Sequence, residues 1–280
     1  MTDFTPRTLT TERDELTGYD HGAHVTRWAR DGVPVVWVSE QAHYERDQGI
    51  RGGVPVCWPW FASGPSGEVS PSHGFVRTAR WHLSEHTQEL LRWRLTEADI
   101  DGKQGADRFP HRFECEVVAR LGQTLQVSLT VLNTCDSPFD YEAALHTYLH
   151  VGDVTQVRLS GLDASSYFDK VSGQDQIQRG DLLLTGETDR IYHSPGPVVV
   201  HDPSLSRELH ISTEGAVATV VWNPWADKAR GLADMADDEW RRMVCVEAGL
   251  IGDGRVGLGP GEQHTLTQQI AVQPAAAPSL

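Results

Sequence analysis

Four stretches of the chain carry reactive side chains in surroundings that neither a plain core nor a plain surface calls for. In 51–61, Arg51 precedes Gly52 and Gly53, and Trp58, Trp60 and Phe61 follow among two prolines. Glycines let a ligand approach the backbone, prolines stiffen a loop, and flat aromatic faces suit stacking on a sugar ring. The alternative is a loop that closes the core with aromatic plugs. In 72–77, His73 and Arg77 flank Gly74. An arginine's planar fork of donors matches phosphate oxygens, although a solvated surface turn has the same composition. In 142–150, His146 and His150 share strand parity and are expected on one side. Four residues of extended chain put them about 13 Å apart, too far for one shared metal ion. A single His among apolar neighbours is either a satisfied core side chain or a proton carrier. In 243–249, Glu247 ends an apolar run. A carboxylate near a core needs a partner or a function, and burial lifts a Glu toward neutrality, which suits a general base. A structural pair with an arginine is the alternative.

Strands must position these groups. The run 113–121 alternates apolar and mostly charged residues, and Leu125, Val127, Leu129 and Val131 continue the rhythm. Period two puts one face on a core and the other in water. Gly122-Gln123 between the runs predicts a type II′ hairpin turn. Further strands are predicted at 24–28, 35–39, 90–95, 141–151, 157–159, 198–201, 207–212, 216–222, 242–247 and 266–272. Turn signals such as Asp31-Gly32, Asp101-Gly102 and Gly259-Pro260-Gly261 separate many of them. One short helix is expected near 226–234. Many short strands without βαβ alternation point to an all-β, single-domain sandwich spanning 16–272. The polar segment 1–15 is expected to pair poorly, and 273–280 to form a disordered tail.

The bulk numbers fit this frame. A chain of 280 residues with 39% hydrophobic residues can bury a sizeable core without disulfides. Its charge of −15, from 24 basic and 39 acidic residues, repels nucleic acid and anionic lipid. A local pair of arginines still attracts a small anion within a Debye length of about 8 Å. Cys57, Cys115, Cys135 and Cys245 form no C-x-x-C pair, so metal-knuckle and thioredoxin readings fail. Cys57 and Cys245 read as small buried hydrophobes. A polar N-terminus and the lack of a long apolar run predict a cytoplasmic protein with no membrane partner. No P-loop and no dinucleotide fingerprint is present, so no cofactor and no metal is expected.

Seven motifs in order resemble the glucose-6-phosphate 1-epimerase family (hexose-6-phosphate mutarotases), across about 34–270. They are Arg51-Gly-Gly-Val-Pro-Val-Cys-Trp-Pro-Trp-Phe61, His73-Gly-Phe-Val-Arg77, Ala144-Leu-His-Thr-Tyr148, Tyr167-Phe-Asp-Lys170, Thr188-Asp-Arg-Ile-Tyr192, Trp222-Asn-Pro-Trp225 and Val246-Glu-Ala-Gly249. The resemblance implies a galactose mutarotase-like β-supersandwich with a hexose across one concave face. It implies His146 and Glu247 as the catalytic pair and Arg51 and Arg77 as ligands of the substrate and its phosphate. Asp189 would take sugar hydroxyls, and His73 and Trp58 would bind or line the pocket. Ser72 departs from the family's usual Gln, leaving room for a water or an altered contact, and 64–72 differs along the rim.

Anomer exchange opens the hemiacetal: a base takes the C1 hydroxyl proton while an acid protonates the ring oxygen. Glu247 is the natural base. His146 is the natural acid, with an ordinary pKa of about 6.5. The expected partner is a hexose phosphate as substrate, with no nucleic acid or membrane partner, and the protein is expected to be a monomer. A mutarotase of unphosphorylated aldoses is one rival reading; a non-catalytic carbohydrate-binding module, which has no need of an acid–base pair, is another.

Overall fold

The alternating runs build the larger of two main sheets. In the computed structural model, which describes residues 4–275, Phe113–Leu121 and Leu125–Asn133 pair antiparallel, and their apolar positions are buried in strict alternation. Nine strands make this sheet, running from His82–His86 at one edge through Gln263–Pro274 to Leu182–Leu183 at the other. The second sheet has eight strands, in the order Gln174–Ile177, Ser166–Asp169, Thr188–Tyr192, Ala218–Asn223, Met243–Leu250, Ala143–Leu145 and Val56–Cys57. Its eighth strand, Tyr148–His150, also pairs with Met243–Leu250. A four-stranded sheet over 7–34 packs beside them.

All eight residues of Met243–Leu250 are buried, as expected of a central strand covered on both faces. Gln268, from the larger sheet, ties the two layers together. Its Nε2 donates to the Val246 carbonyl at 2.9 Å, and its Oε1 accepts from the Thr147 hydroxyl. Buried polar groups satisfied across the interface fix one relative placement of the layers.

Several expectations change. The 122–124 connection holds three residues, with Leu121 opposite Leu125, and Gly122 does not adopt positive φ. The two-residue type II′ turn is therefore absent. Residues 35–39 make isolated bridges through Val36 and Val38 rather than a strand. The helix is shorter than predicted, Trp225–Ala229. The polar segment 1–15 is not wholly loose, because Arg7–Thr10 pairs with the strand Asp14–Tyr19 and Arg7 meets Asp20 at 2.6 Å. At the other end, Gln273 and Pro274 still pair with Glu208 and Arg207, and the rest of the expected tail, from 276, lies outside the described residues.

The predicted strand 141–151 is the informative case. It breaks into Phe139–Tyr141, Ala143–Leu145 and Tyr148–His150. The Thr147 amide donates back to Leu145 at 3.0 Å, a three-residue turn that interrupts the alternation. His146 and His150 consequently face different cavities, so the shared parity read from the sequence does not hold.

Candidate active site

The break at 146–147 aims one side chain out of the sheet. The His146 amide donates to the Pro55 carbonyl at 2.9 Å, and the Val246 amide donates to the Thr147 carbonyl at 3.1 Å. Leu145 lies opposite Ala248, so His146 comes level with Glu247 on the neighbouring strand. His146 Nε2 sits 3.4 Å from Glu247 Oε1. The two residues are 8% and 1% exposed, so the pair is reachable only through the pocket above it.

That pocket encloses about 410 Å³ and is lined by Arg51, His73, Arg77, Asp189 and the His146–Glu247 pair, among others. The six come from five motifs far apart in the chain, and the sheet register brings them together. Phe61, Lys170, Trp222 and Lys228 also line the pocket.

Ring stacking fixes His146. Its ring lies 4.9 Å from that of Tyr148, at 12°, and Tyr148 stacks in turn on Trp37 at 5.7 Å. The Tyr148 hydroxyl accepts a hydrogen bond from Arg51 Nη1 at 3.1 Å, while Arg51 Nε reaches Asp234 at 3.2 Å. His73 meets His146 edge-on at 5.4 Å, and its Nδ1 accepts from the Ala62 amide at 3.3 Å. Burial, aided by Arg77, Lys170 and Arg51, pushes the His73 imidazole down to about 3. It is neutral at physiological pH.

Burial also governs the central pair. It drives the His146 imidazole well below its usual value, with His73, Arg77 and Arg51 adding to the effect. Burial, then the Asp189 carboxylate, lifts the Glu247 carboxyl well above the carboxylate range, while Lys170 and Arg77 pull it back. Each group resists charge, which favours a single exchangeable proton shared by the pair. Such a pair can give a proton to one atom of a ligand and take one from another.

The pocket is cationic in a strongly acidic protein. Three of its four long cations are matched: Arg51 by Asp234, Lys170 by Asp189 at 3.0 Å, and Lys228 by Glu187 at 2.7 Å. Arg77 has no ion-pair partner among the described residues. Its guanidinium lies flat against Gly49, where even a Cβ would approach Nη2 to 2.3 Å. An unmatched guanidinium in a pocket is suited to an anion.

Two sequence expectations need correction. Trp58 does not line the pocket. It is fully buried, packed against Phe113 at 4.5 Å and Phe109 at 4.9 Å, and its indole N–H has no partner. The chain after Val56–Cys57 turns this ring into the space between the sheets. Phe61, three residues on, reaches the pocket instead, held by the Glu142 carboxylate, which accepts from the Phe61 amide at 3.1 Å and the Gly252 amide at 2.8 Å. Gly52 and Gly53 serve the fold rather than a ligand: side chains there would strike the backbone of Trp37–Val38 and of Val25. Sequence reasoning also passed over Lys170 and Lys228 as pocket residues. Lys170 stands in a quoted motif, which was the available signal; Lys228 offered none.

This arrangement of two facing sheets is shared with sugar isomerases of the β-supersandwich class. The aldose 1-epimerase family matches residues 8–271, and the chain belongs to it. Proteins named as proposed glucose-6-phosphate 1-epimerases are among its relatives. One from Escherichia coli K12 is 33% identical over 81% of this chain and 76% of its own. Another from the grass Cenchrus ciliaris is 31% identical over 88% and 77%. A crystal structure described as a proposed mutarotase from Salmonella typhimurium superposes with a TM-score of 0.85 at 28% identity, covering 95% and 90% of the two chains. A galactose mutarotase-like protein from Lactobacillus casei, 14% identical with a TM-score of 0.76 over 96% of this chain and all of that one, shares the fold. The protein is thus an isomerase of the aldose 1-epimerase type with a galactose mutarotase-like fold. Among the described residues, no helix is long and apolar enough to cross a membrane.

Proposed function

We propose that this isomerase interconverts the α and β anomers of a hexose 6-phosphate, with glucose 6-phosphate as the substrate, and that His146 and Glu247 carry the protons. The observation that carries the reading is their 3.4 Å approach at the floor of a pocket whose wall holds the unpaired Arg77.

Glu247 accepts the proton of the C1 hydroxyl as His146 delivers one to the ring oxygen. The C1–O5 bond breaks, leaving an open-chain aldehyde. Rotation about C1–C2 presents the other carbonyl face, and the ring closes with the roles reversed. One proton leaves the substrate and one enters, so the pair's inventory is unchanged at every stage. Burial favours the neutral pair. Lys170 and Arg77 act in the other sense and favour the Glu247 carboxylate that proton abstraction requires. Proton transfers of this kind contribute about 10²–10⁴-fold each.

Arg77 and Arg51 take the phosphate, in keeping with the bidentate preference of guanidinium for phosphate oxygens. Asp189, already fixed by Lys170, accepts from sugar hydroxyls. Phe61 and Trp222 give apolar walls for the ring. Ser72 lies on the pocket lining, where a short side chain leaves room above the sugar.

Anomer exchange followed by NMR tests this on glucose 6-phosphate and glucose side by side. The reading expects a large catalysed rate on the phosphate and its loss in Glu247→Gln. Equal kcat/KM on both sugars would make it a mutarotase of free aldoses. Saturation-transfer signals from bound sugar without any exchange would make it a binding module.

A further inference from the structure

Directly beside the proton-transfer pair lies a side chain that the reaction does not use. Cys245 precedes Glu247 by two residues on Met243–Leu250, so the two leave the same face of the strand. It is buried and its thiol is free. One ligand atom from each of His146, Cys245 and Glu247 lies within 4.8 Å of the other two. Independently, Glu247 Oε2 is buried with no hydrogen-bond partner, so this cluster keeps unused acceptor capacity inside the protein.

Zinc binds imidazole, thiolate and carboxylate at about 2.0–2.3 Å, which places donor atoms of a tetrahedral shell roughly 3.3–3.8 Å apart. The His146–Glu247 separation already falls there, and the thiol needs to close in by about an ångström at most. A thiolate, a carboxylate and a neutral imidazole together cancel a dication, which removes the penalty for burying charge. The thiolate selects a thiophilic ion over magnesium or calcium. The open pocket supplies a fourth position for water.

We infer that His146, Cys245 and Glu247 form an inhibitory site for a thiophilic divalent cation, an inference that rests on the acid–base reading of the pair. On binding, the Cys245 thiol and the His146–Glu247 pair each release one proton to solvent, and bonds from the metal to sulfur, nitrogen and oxygen form with no change of oxidation state. The ion occupies the ground between acid and base, so ion and hexose exclude one another.

Cobalt(II) titrated into the full-length protein is the test, because its spectrum reports ligation whatever the activity. The expected result is a sulfur-to-cobalt charge-transfer band with the d–d bands of a four-coordinate ion, displaced by zinc. Zinc should inhibit anomer exchange competitively with substrate, and a chelator should restore it. Cys245→Ser should keep exchange in metal-free buffer, lose the charge-transfer band and need at least tenfold more zinc for half-inhibition. Cys135→Ser, at a partly exposed thiol, should keep the band. If Cys245→Ser does not fold, Cys245→Ala replaces it. No band in the wild-type protein, the same band in a folded Cys245 variant, or a zinc-insensitive rate would each overturn the inference. A band that needs Cys245, in a protein that anomerises no hexose phosphate, would sink the acid–base reading and leave the metal site standing.

Discussion

Replacing Gly49 with alanine puts a single methyl group against Arg77. The new Cβ would lie 2.3 Å from Nη2, 2.6 Å from Nε and 2.8 Å from Cζ. Ordinary carbon contacts begin near 3.5 Å, so the guanidinium must withdraw by about 1 Å. Gly49 is outside the positive-φ region, so alanine fits the backbone. It also narrows the unfolded ensemble, which stabilises a protein by about 0.4–1 kcal/mol. The arginine head is the flexible end of its side chain, and moving it costs the fold little. Substrate recognition bears the loss instead: one charge-assisted hydrogen bond is worth about 1.5–3 kcal/mol, or about 10–150-fold in kcat/KM. The expected outcome is an unchanged or slightly raised Tm, a fall of that size on glucose 6-phosphate, and a much smaller change on glucose. NMR exchange rates on both sugars with a thermal melt measure all three. A folded Gly49→Ala protein with the wild-type ratio of the two substrates would refute the role of Arg77 as phosphate anchor.

Glu247→Gln keeps shape and burial but cannot accept the hydroxyl proton, so kcat should drop by about 10²–10⁴-fold with the melt unchanged; residual activity near wild type would remove Glu247 as the base. The pH–rate profile follows from the shifted pair. Burial lowers His146, so a second proton joins only below its ordinary value of about 6.5, and an acid limb already complete at neutral pH contradicts the mechanism. Burial raises Glu247, so the single proton is lost only well above the carboxylate range. Lys170 is the foremost charge opposing that rise, and Lys170→Gln should move the alkaline limb to higher pH. Trp58→Phe should lower stability by about 0.5–3 kcal/mol with KM unchanged, since the ring fills the core among Phe75, Phe109 and Phe113; a raised KM would return Trp58 to the site.

Fold class and chemical types could be read from residue order alone. The period-two runs became paired strands with alternating burial, because alternation is a property of each strand alone. His146, Glu247, Arg51, Arg77, His73 and Asp189 were legible as a set through ordered motifs, and they do share one pocket. How they meet depends on the packing of the sheets. His146 and Glu247 are about a hundred residues apart in sequence, and their contact depends on the register of Ala143–Leu145 against Met243–Leu250. That register is set by pairing and by Gln268 reaching across from the opposite sheet, neither of which a local pattern encodes. The same reason separates Trp58 from Phe61. Both are aromatic residues on one loop, and the turn of the chain into the core, not their type, assigns one to packing and the other to the pocket. Gly49 and Lys228 gave no sign at all, since a glycine's value here is the space it leaves for a side chain 28 positions further along the chain, and that space exists only after folding.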